Sequence, residues 1–251
     1  MSRNIVIGPP GTGKTTFLKN KVDAIIKEGK ARPNQIGYFS FTVKAAEEIR
    51  NRVARENMSE NELKKMYPYF CTLHSLAYKR LRLEPHEIMD ELDYMELSDM
   101  TGRKFVNKMK KGNGMDFSMP TAQSQYQDTI NLAYAKYPHD EDRLSKIFKE
   151  VKLSDYGARN TILQMDEDLK NFKKARHKLE YVDYFNTFLQ TRNPPHLEYL
   201  FIDEAQDLSA HQWMVVDMIQ QVAQPKETFV AGDDDQAIFR WAGADIEHFI
   251  K

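Results

Sequence analysis

The chain has 251 residues, of which 36 are basic and 37 acidic, so its formal net charge at pH 7 is -1. This length suits one large domain or two smaller ones, and the balanced charge means that any nucleic-acid contact must come from a local patch. The single cysteine, Cys71, excludes an intrachain disulfide and a zinc site built from cysteines. Because the first apolar stretch is too short for a signal peptide or a membrane span, we expect a cytoplasmic protein without membrane contacts.

Short apolar runs alternate with helical periodicity towards both ends of the chain. The predicted strands are residues 5–7, 36–41, 69–72, 197–202 and 228–231, and each is followed by a turn and by apolar residues at helical spacing. This alternation predicts an α/β fold in which a mostly parallel sheet is flanked by helices.

The middle of the chain differs in composition from its ends. Residues 83–180 are rich in Lys, Asp, Met, Tyr and Gln and poor in runs of β-branched residues. This composition predicts several helices inserted into the alternating domain. We therefore expect residues 1–82 and 181–251 to form the two parts of the α/β domain, and residues 83–180 to form a helical subdomain.

The turn after the first predicted strand contains a phosphate-binding motif. Residues 8–15, GPPGTGKT, match the pattern G-x-x-x-x-G-K-[ST] between a strand and a helix. Such a loop directs backbone N–H groups at phosphate, a lysine at the β and γ phosphates and a hydroxyl at Mg²⁺, which predicts ATP and Mg²⁺ as cofactors. The alternative is a Gly/Pro turn with a chance lysine. The candidate nucleotide-binding residues are Gly8, Pro9, Gly11, Thr12, Gly13, Lys14, Thr15 and Thr16, with Lys14 also catalytic and Thr15 also a metal ligand.

Two carboxylates follow the predicted strand at residues 197–202. Asp203 and Glu204 would lie at the edge of the sheet that also carries the phosphate-binding loop. We expect Asp203 to hold Mg²⁺ directly or through water, and Glu204 to act as the general base for the attacking water. The alternative is an ordinary helix start that is enriched in acidic residues.

A third polar turn follows the last predicted strand. Gly232 precedes three aspartates and Gln236, which is a candidate catalytic residue that responds to the γ-phosphate. An exposed acidic turn is the alternative, because three adjacent carboxylates repel one another unless they are solvated or near a cation.

In their order along the chain, these segments resemble the motifs of the UvrD/Rep/PcrA family of superfamily 1 helicases. Residues 39–49 look like motif Ia of that family, residues 71–77 like motif Ib, residues 201–208 like motif II and residues 232–244 like motif III. The resemblance implies a RecA-like P-loop NTPase that acts as an ATP-dependent motor on single-stranded DNA. By position alone, residues 83–180 correspond to the helical 1B subdomain of the family.

The resemblance also implies a DNA-binding face made of two kinds of residue. Bases would stack on the aromatic side chains of Phe41, Phe239 and Trp241. The phosphodiester backbone would lie near the polar side chains of Thr42, Thr72 and His74. Stacking is worth about 1–3 kcal/mol per base and tolerates any sequence, as a translocating motor requires. Taken alone, Phe41 and Phe239 also fit core positions, and His74 also fits a structural hydrogen bond.

The chain departs from the family pattern in several places. It begins a few residues before the first strand, so we expect no counterpart of the upstream glutamine motif that recognises adenine. Thr16 and Ala242 stand where the family has arginines. The second RecA-like domain, whose arginines are worth about 10³ to 10⁵ in rate, would begin beyond Lys251. We therefore expect weak hydrolysis by this chain alone, with that domain either in the same longer chain or in a separate subunit.

Three functions are compatible with these patterns. The first is the motor domain of a DNA helicase, and the second is a nucleotide-gated module that binds single-stranded DNA with little motor activity. The third is a P-loop kinase or another transferase for small substrates, which would need an acceptor pocket and a basic lid that the sequence does not indicate. ATP turnover with and without single-stranded DNA separates the first function from the other two.

Overall fold

The computed structural model of the protein describes residues 2–54, 58–106 and 122–233. Its contacts divide the chain into two compact units: unit 1 has the bounds Met1–Leu81 and Thr187–Lys251, and unit 2 is Arg82–Asn186. The helical insertion predicted from composition was residues 83–180, whereas unit 2 extends to Asn186.

Unit 1 is built on a parallel sheet. Its strands are β1 (Ser2–Ile7), β2 (Ile36–Ser40), β3 (Phe70–Cys71), β4 (Tyr199–Asp203) and β5 (Glu227–Gly232). They lie in the order β1-β5-β4-β2-β3, and every pair of neighbours is parallel. Each predicted strand forms within three residues of its expected bounds, which confirms the predicted α/β fold.

Helices fill most of the remaining described chain. They are α1 (Lys14–Lys27), α2 (Val43–Val53), α3 (Glu60–Met66), α4 (Leu73–Leu81), α5 (Glu91–Thr101), α6 (Ala122–Lys136), α7 (Arg143–Glu150), α8 (Tyr156–Arg176), α9 (Tyr181–Thr191) and α10 (Ala210–Ala223). Short 3₁₀ turns occur at Pro33–Gln35, Pro85–Glu87 and Ala205–Asp207. Among the helices in these ranges, none combines the length and the apolar character that a bilayer crossing requires.

The strand order decides which face of the sheet each helix covers. The connections from β1 to β2 through α1, and from β2 to β3 through α2, run in one direction across the sheet, whereas the connection from β4 to β5 through α10 runs in the other. Because such crossovers are right-handed, α1 and α2 cover one face and α10 covers the opposite face. Because all five strands are parallel, their carboxyl ends share one edge of the sheet. Ligands bind at this edge in sheets of this kind.

A row of aromatic rings crosses the sheet beneath α1 and α2. Phe70, Tyr38, Phe201 and Phe229 come from four successive strands of the sheet, and neighbouring ring centroids lie 5.6, 6.0 and 4.9 Å apart. The planes of neighbouring rings differ by 18°, 16° and 9°, so the rings are stacked. Since each aromatic side chain buries about 150–250 Å², this row contributes a large part of the apolar core on this face.

In its described residues, unit 2 consists of helices joined by turns and loops, with one parallel bridge between Ile88 and Leu179. This confirms that the insertion is mainly helical. Its core consists of buried apolar residues from α5 to α8 and the segments next to them: Met89, Tyr94, Leu97, Phe105, Ile130, Ala133, Leu144, Ile147, Phe148, Ile162, Met165, Leu169 and Phe172. The unit thus has a hydrophobic core of its own.

We predict that Phe201→Ala destabilises unit 1 by about 3–5 kcal/mol, because it removes a fully buried ring from the middle of the stack. Urea denaturation followed by tryptophan fluorescence measures this loss selectively, since both tryptophans, Trp213 and Trp241, lie outside unit 2. The matched control is Val222→Ala on α10, whose side chain is 42% exposed and should change the free energy of unfolding by less than about 0.5 kcal/mol. Equal effects of the two substitutions would contradict the assigned core.

Candidate functional site

The loop between β1 and α1 has a backbone suited to binding phosphate. Gly11 and Gly13 have φ angles of 77° and 86°, in the left-handed region that glycine adopts without strain. A Cβ at Gly8 would lie 2.8 Å from Oγ1 of Thr12, so a larger residue here would force the Thr12 side chain to move. Gly13 caps α1 without a side-chain hydrogen bond. The N–H groups of the first helical turn, at the positive end of the helix dipole, are therefore available to an anion.

Lys14, the first residue of α1, folds back over this loop. Its Nζ donates hydrogen bonds to the carbonyl oxygens of Gly8 and Pro9, the second at 3.1 Å. The Thr12 hydroxyl donates to the same Pro9 oxygen at 2.7 Å. Because carbonyl oxygens carry no net charge, these bonds place the lysine amine without neutralising it. Thr16, the last predicted nucleotide-binding residue, lies exposed in the first turn of α1.

Asp203, the last residue of β4, joins the phosphate-binding loop to the sheet. Its Oδ2 accepts hydrogen bonds from Thr15 Oγ1 at 3.1 Å and from the Tyr38 hydroxyl at 2.6 Å, and its Oδ1 accepts one from the Glu204 N–H at 3.1 Å. Burial raises the pKa of Asp203 above its ordinary value; the bond from Tyr38 opposes this shift, and the charge of Glu204 adds to it. The structure thus brings Thr15 and Asp203 together at the carboxyl edge of the sheet.

Glu204 breaks the strand conformation immediately after Asp203. Its φ and ψ of 54° and 45° are left-handed, which costs a residue with a side chain on the order of 1 kcal/mol or more. Its Oε2 accepts a hydrogen bond of 2.8 Å from Gln206 Nε2, and Gln206 Oε1 accepts one of 3.1 Å from the backbone N–H of Asp233. Gln206 therefore ties the Glu204 carboxylate to the residue that follows β5.

Two further oxygens near this edge are buried without hydrogen-bond partners in the described ranges. They are Ser40 Oγ, which lies on β2 in register with Asp203, and Oδ1 of Asp207. Burial, and then the charge of Glu204, raise the pKa of Asp207 to about 7. Buried polar atoms in native proteins are nearly always paired, so unsatisfied oxygens near the carboxyl ends of the strands are expected to bind water or a polar ligand.

The side chains at this edge fit a nucleotide with Mg²⁺ better than a protein-only metal centre. Within the described part of the chain, no group of three or more His, Cys, Asp or Glu side chains is arranged to hold a metal ion. Mg²⁺ usually takes one or two protein oxygens and completes its shell with phosphate and water. The Thr15 hydroxyl and the Asp203 carboxylate, 3.1 Å apart, offer that incomplete set next to the loop.

Four of the predicted DNA-binding residues lie after two neighbouring strands of the same edge. Phe41 and Thr42 follow β2, and Thr72 and His74 follow β3. The Thr42 hydroxyl caps α2 by accepting the N–H of Ala45 at 3.2 Å, and Thr72 accepts the N–H of Ser75 at 3.1 Å. Phe41 and His74 are half-buried, so neither is a fully enclosed core residue.

The sequence predictions and the structure differ at this edge in two ways. Gln236, Phe239 and Trp241 were predicted as site residues but lie outside the described ranges. Tyr38 and Gln206 were missed. Gln206 carried a signal, because it lies between the acidic pair Asp203/Glu204 and a third carboxylate, Asp207. An aromatic residue in an apolar strand, as at Tyr38, is what a core position alone would give.

Comparison with known proteins agrees with this geometry. The sequence profile of the UvrD/REP helicase N-terminal domain matches residues 1–251. Among curated proteins, the ATP-dependent DNA helicase PcrA of Staphylococcus epidermidis is 24% identical over 259 residues, which cover 98% of this chain and 33% of that protein. The ATP-dependent DNA helicase Rep of Buchnera aphidicola subsp. Schizaphis graminum is 25% identical over 249 residues, covering 96% of this chain and 36% of that protein. The chain thus spans about one third of the length of the curated relatives it matches.

We predict that His74 is neutral at pH 7, because burial lowers its pKa to about 4 from the ordinary value of 6.5. The unfolded chain binds the proton first, so the stability that neutral His74 contributes is complete above pH 6.5 and is lost as the pH falls towards 4.

Two-dimensional NMR of the histidine ring protons measures this pKa, with His74→Gln to assign the signal and exposed His86→Gln as the control. A His74 midpoint between pH 6 and 7 would contradict the prediction.

Proposed function

The chain belongs to the UvrD/REP helicase family through the N-terminal domain of that family, and from this premise we propose that it is a motor domain that hydrolyses ATP with Mg²⁺ and engages single-stranded DNA. The observation that carries the proposal is the 3.1 Å bond between Thr15 of the phosphate-binding loop and Asp203 of β4. Loop and carboxylate therefore lie close enough to share one metal ion bound to a triphosphate.

Each side chain of the edge has a distinct part in the proposed hydrolysis. The loop and the N-terminus of α1 bind the phosphates, and Lys14 adds a positive charge that can swing from the loop carbonyls to the β and γ phosphates. Thr15 and Asp203 hold Mg²⁺, which when bound neutralises negative charge on the phosphates. Glu204 orients the attacking water and accepts its proton, and Gln206 fixes the Glu204 carboxylate for this role.

The proposed DNA-binding face lies at the ends of β2 and β3. Thr42 and Thr72 stand at the starts of α2 and α4, where helix N-termini favour phosphate groups. The exposed Thr42 hydroxyl accepts a backbone N–H and still has a proton to donate. Thr72 is buried, and its hydroxyl accepts a backbone N–H and shares a second hydrogen bond with the Ser75 hydroxyl at 3.0 Å. Phe41 offers an aromatic face for a base, and neutral His74 would contact the backbone by hydrogen bonding rather than by charge. Phe239 and Trp241 stay predictions for the same face, as Gln236 does for the γ-phosphate.

Further parts of the proposal concern what surrounds this domain. Because the matched relatives are about three times longer than this chain, we propose that a second RecA-like domain, in the same longer chain or in a separate subunit, completes the ATP site. Unit 2 would be the helical subdomain that the family inserts into the first domain. A cytoplasmic location stays a prediction from the sequence.

The proposal predicts ATP turnover that rises when single-stranded DNA is added and that depends on Lys14. We expect Lys14→Ala to reduce phosphate release by about 10²-fold or more, because it removes a preorganised charge from the transferring phosphate. The matched control is Lys27→Ala, at the exposed far end of the same helix, which should keep full turnover. DNA binding gated by nucleotide, without stimulated turnover even when a second domain is supplied, would favour the module with little motor activity instead.

We predict that Glu204→Gln binds ATP as tightly as the unsubstituted protein but loses about 10²- to 10⁴-fold in turnover, because the amide cannot accept a proton from water. Equilibrium binding of a fluorescent ATP analogue and single-turnover phosphate release measure the two effects separately. Glu198→Gln, which lies just before the opposite end of β4, is the matched control and should change neither quantity. Ordinary turnover in Glu204→Gln would remove this residue from the role of base.

A further inference from the structure

A residue of the hydrophobic core holds the carboxylate at the centre of the site. Tyr38 is fully buried in the middle of β2, and its hydroxyl donates to Asp203 Oδ2 at 2.6 Å. Its partner in the sheet register is Phe201, two residues before Asp203, so its side chain lies on the same face as that of Asp203 and about 7 Å below it along the strand. Tyrosine is long enough to reach across this step and ends in a hydrogen-bond donor.

The position of this hydroxyl is set by packing rather than by a loop. The Tyr38 ring is stacked between Phe70 and Phe201, with centroid distances of 5.6 and 6.0 Å and nearly parallel planes. Swinging the ring would break both contacts in a close-packed interior. The donor is therefore fixed in place before any ligand arrives, which is the condition for a preorganised site.

The hydrogen-bond inventory of Asp203 shows how tightly its carboxylate is oriented. A carboxylate has about four acceptor positions. Tyr38 and Thr15 use two at Oδ2, and the N–H of Glu204 uses one at Oδ1. About one position remains, on Oδ1, for a metal ion or for a water molecule bound to it. Without Tyr38, the shortest of these three bonds would be lost, and only Thr15 and the Glu204 N–H would orient the carboxylate.

We propose that Tyr38 is a positioning residue of the nucleotide site: its stacked ring fixes the Asp203 carboxylate in the orientation that meets Thr15, so that Mg²⁺ finds this ligand already placed. The inference rests on the proposed function for the identity of the ligand. A purely structural role, in which the bond only satisfies a buried hydroxyl, is the competing explanation. The two differ in whether loss of the hydroxyl affects Mg²⁺ specifically.

The substitution Tyr38→Phe tests the proposal, because it keeps the stacked ring and removes only the hydroxyl. The measurement is the affinity of the full chain for a fluorescent ATP analogue, once with Mg²⁺ and once with EDTA, together with Mn²⁺ affinity from electron paramagnetic resonance in the presence of unlabelled ATP. We expect affinity with Mg²⁺ and affinity for Mn²⁺ to fall about tenfold, equivalent to about 1.4 kcal/mol. Affinity in EDTA should not change, because the loop alone then holds the phosphates.

The matched control is Tyr94→Phe in unit 2. Tyr94 is also buried, and its hydroxyl also donates to a carboxylate, that of Glu180, at 2.6 Å. This control removes the same kind of bond from a place without a nucleotide and should leave both affinities unchanged. Combining Tyr38→Phe with Asp203→Asn should produce no further loss beyond that of Asp203→Asn, because Tyr38 acts through this carboxylate.

A second variant keeps the test valid if Tyr38→Phe folds poorly. Phe70→Leu leaves the hydroxyl in place but loosens the stack on one side of the ring, and a smaller loss confined to the Mg²⁺ condition is expected. Equal losses with Mg²⁺ and with EDTA, or a loss that persists in full in the Asp203→Asn background, would show a structural role and overturn the proposal. If Tyr38→Phe binds as tightly as the unsubstituted protein, the inference fails while the proposed function stands. If the unsubstituted protein binds no nucleotide under either condition, both are overturned.

Discussion

The contact between the Thr15 hydroxyl and the Asp203 carboxylate is the constraint on which the rest of this structure depends. The two residues are 188 positions apart in sequence, and their side-chain oxygens lie 3.1 Å apart. They meet because all five strands run parallel, which puts every strand's carboxyl end, and the turn that follows it, at one edge. The phosphate-binding loop, the acidic pair and the turns after β2 and β3 therefore share a location that no local sequence feature could give them.

The same edge concentrates features that do not favour folding, and the core beneath it compensates for them. Glu204 adopts a left-handed conformation, Asp203 is a buried carboxylate and Asp207 has a pKa raised to about 7 by burial and by Glu204. Such features persist only where surrounding structure determines them. Here that structure is the row of four stacked rings across β3, β2, β4 and β5. Through the Tyr38 hydroxyl, this core also reaches the site directly.

Particular elements show what the sequence could predict and what it could not. The strands were predicted because short apolar runs between turns have few alternatives, and the loop at residues 8–15 because its glycines and lysine have a fixed spacing. The bond from Tyr38 to Asp203 escaped prediction, since an apolar strand does not reveal that one ring carries its hydroxyl to a neighbouring strand. Gln206 escaped for a related reason: its second partner, the N–H of Asp233, is 27 residues away. Long-range partners of polar side chains follow from strand order, which apolar periodicity does not encode.

The most direct test of the central claim is a crystal structure of the chain with Mn²⁺ and a non-hydrolysable ATP analogue, recorded at the manganese absorption edge. The account predicts a single anomalous peak between Thr15 Oγ1 and the Asp203 carboxylate, with the triphosphate wrapped by residues 8–15 and Lys14 on its γ-phosphate. A nucleotide bound elsewhere, or a metal ion that contacts neither Thr15 nor Asp203 even through water, would contradict it.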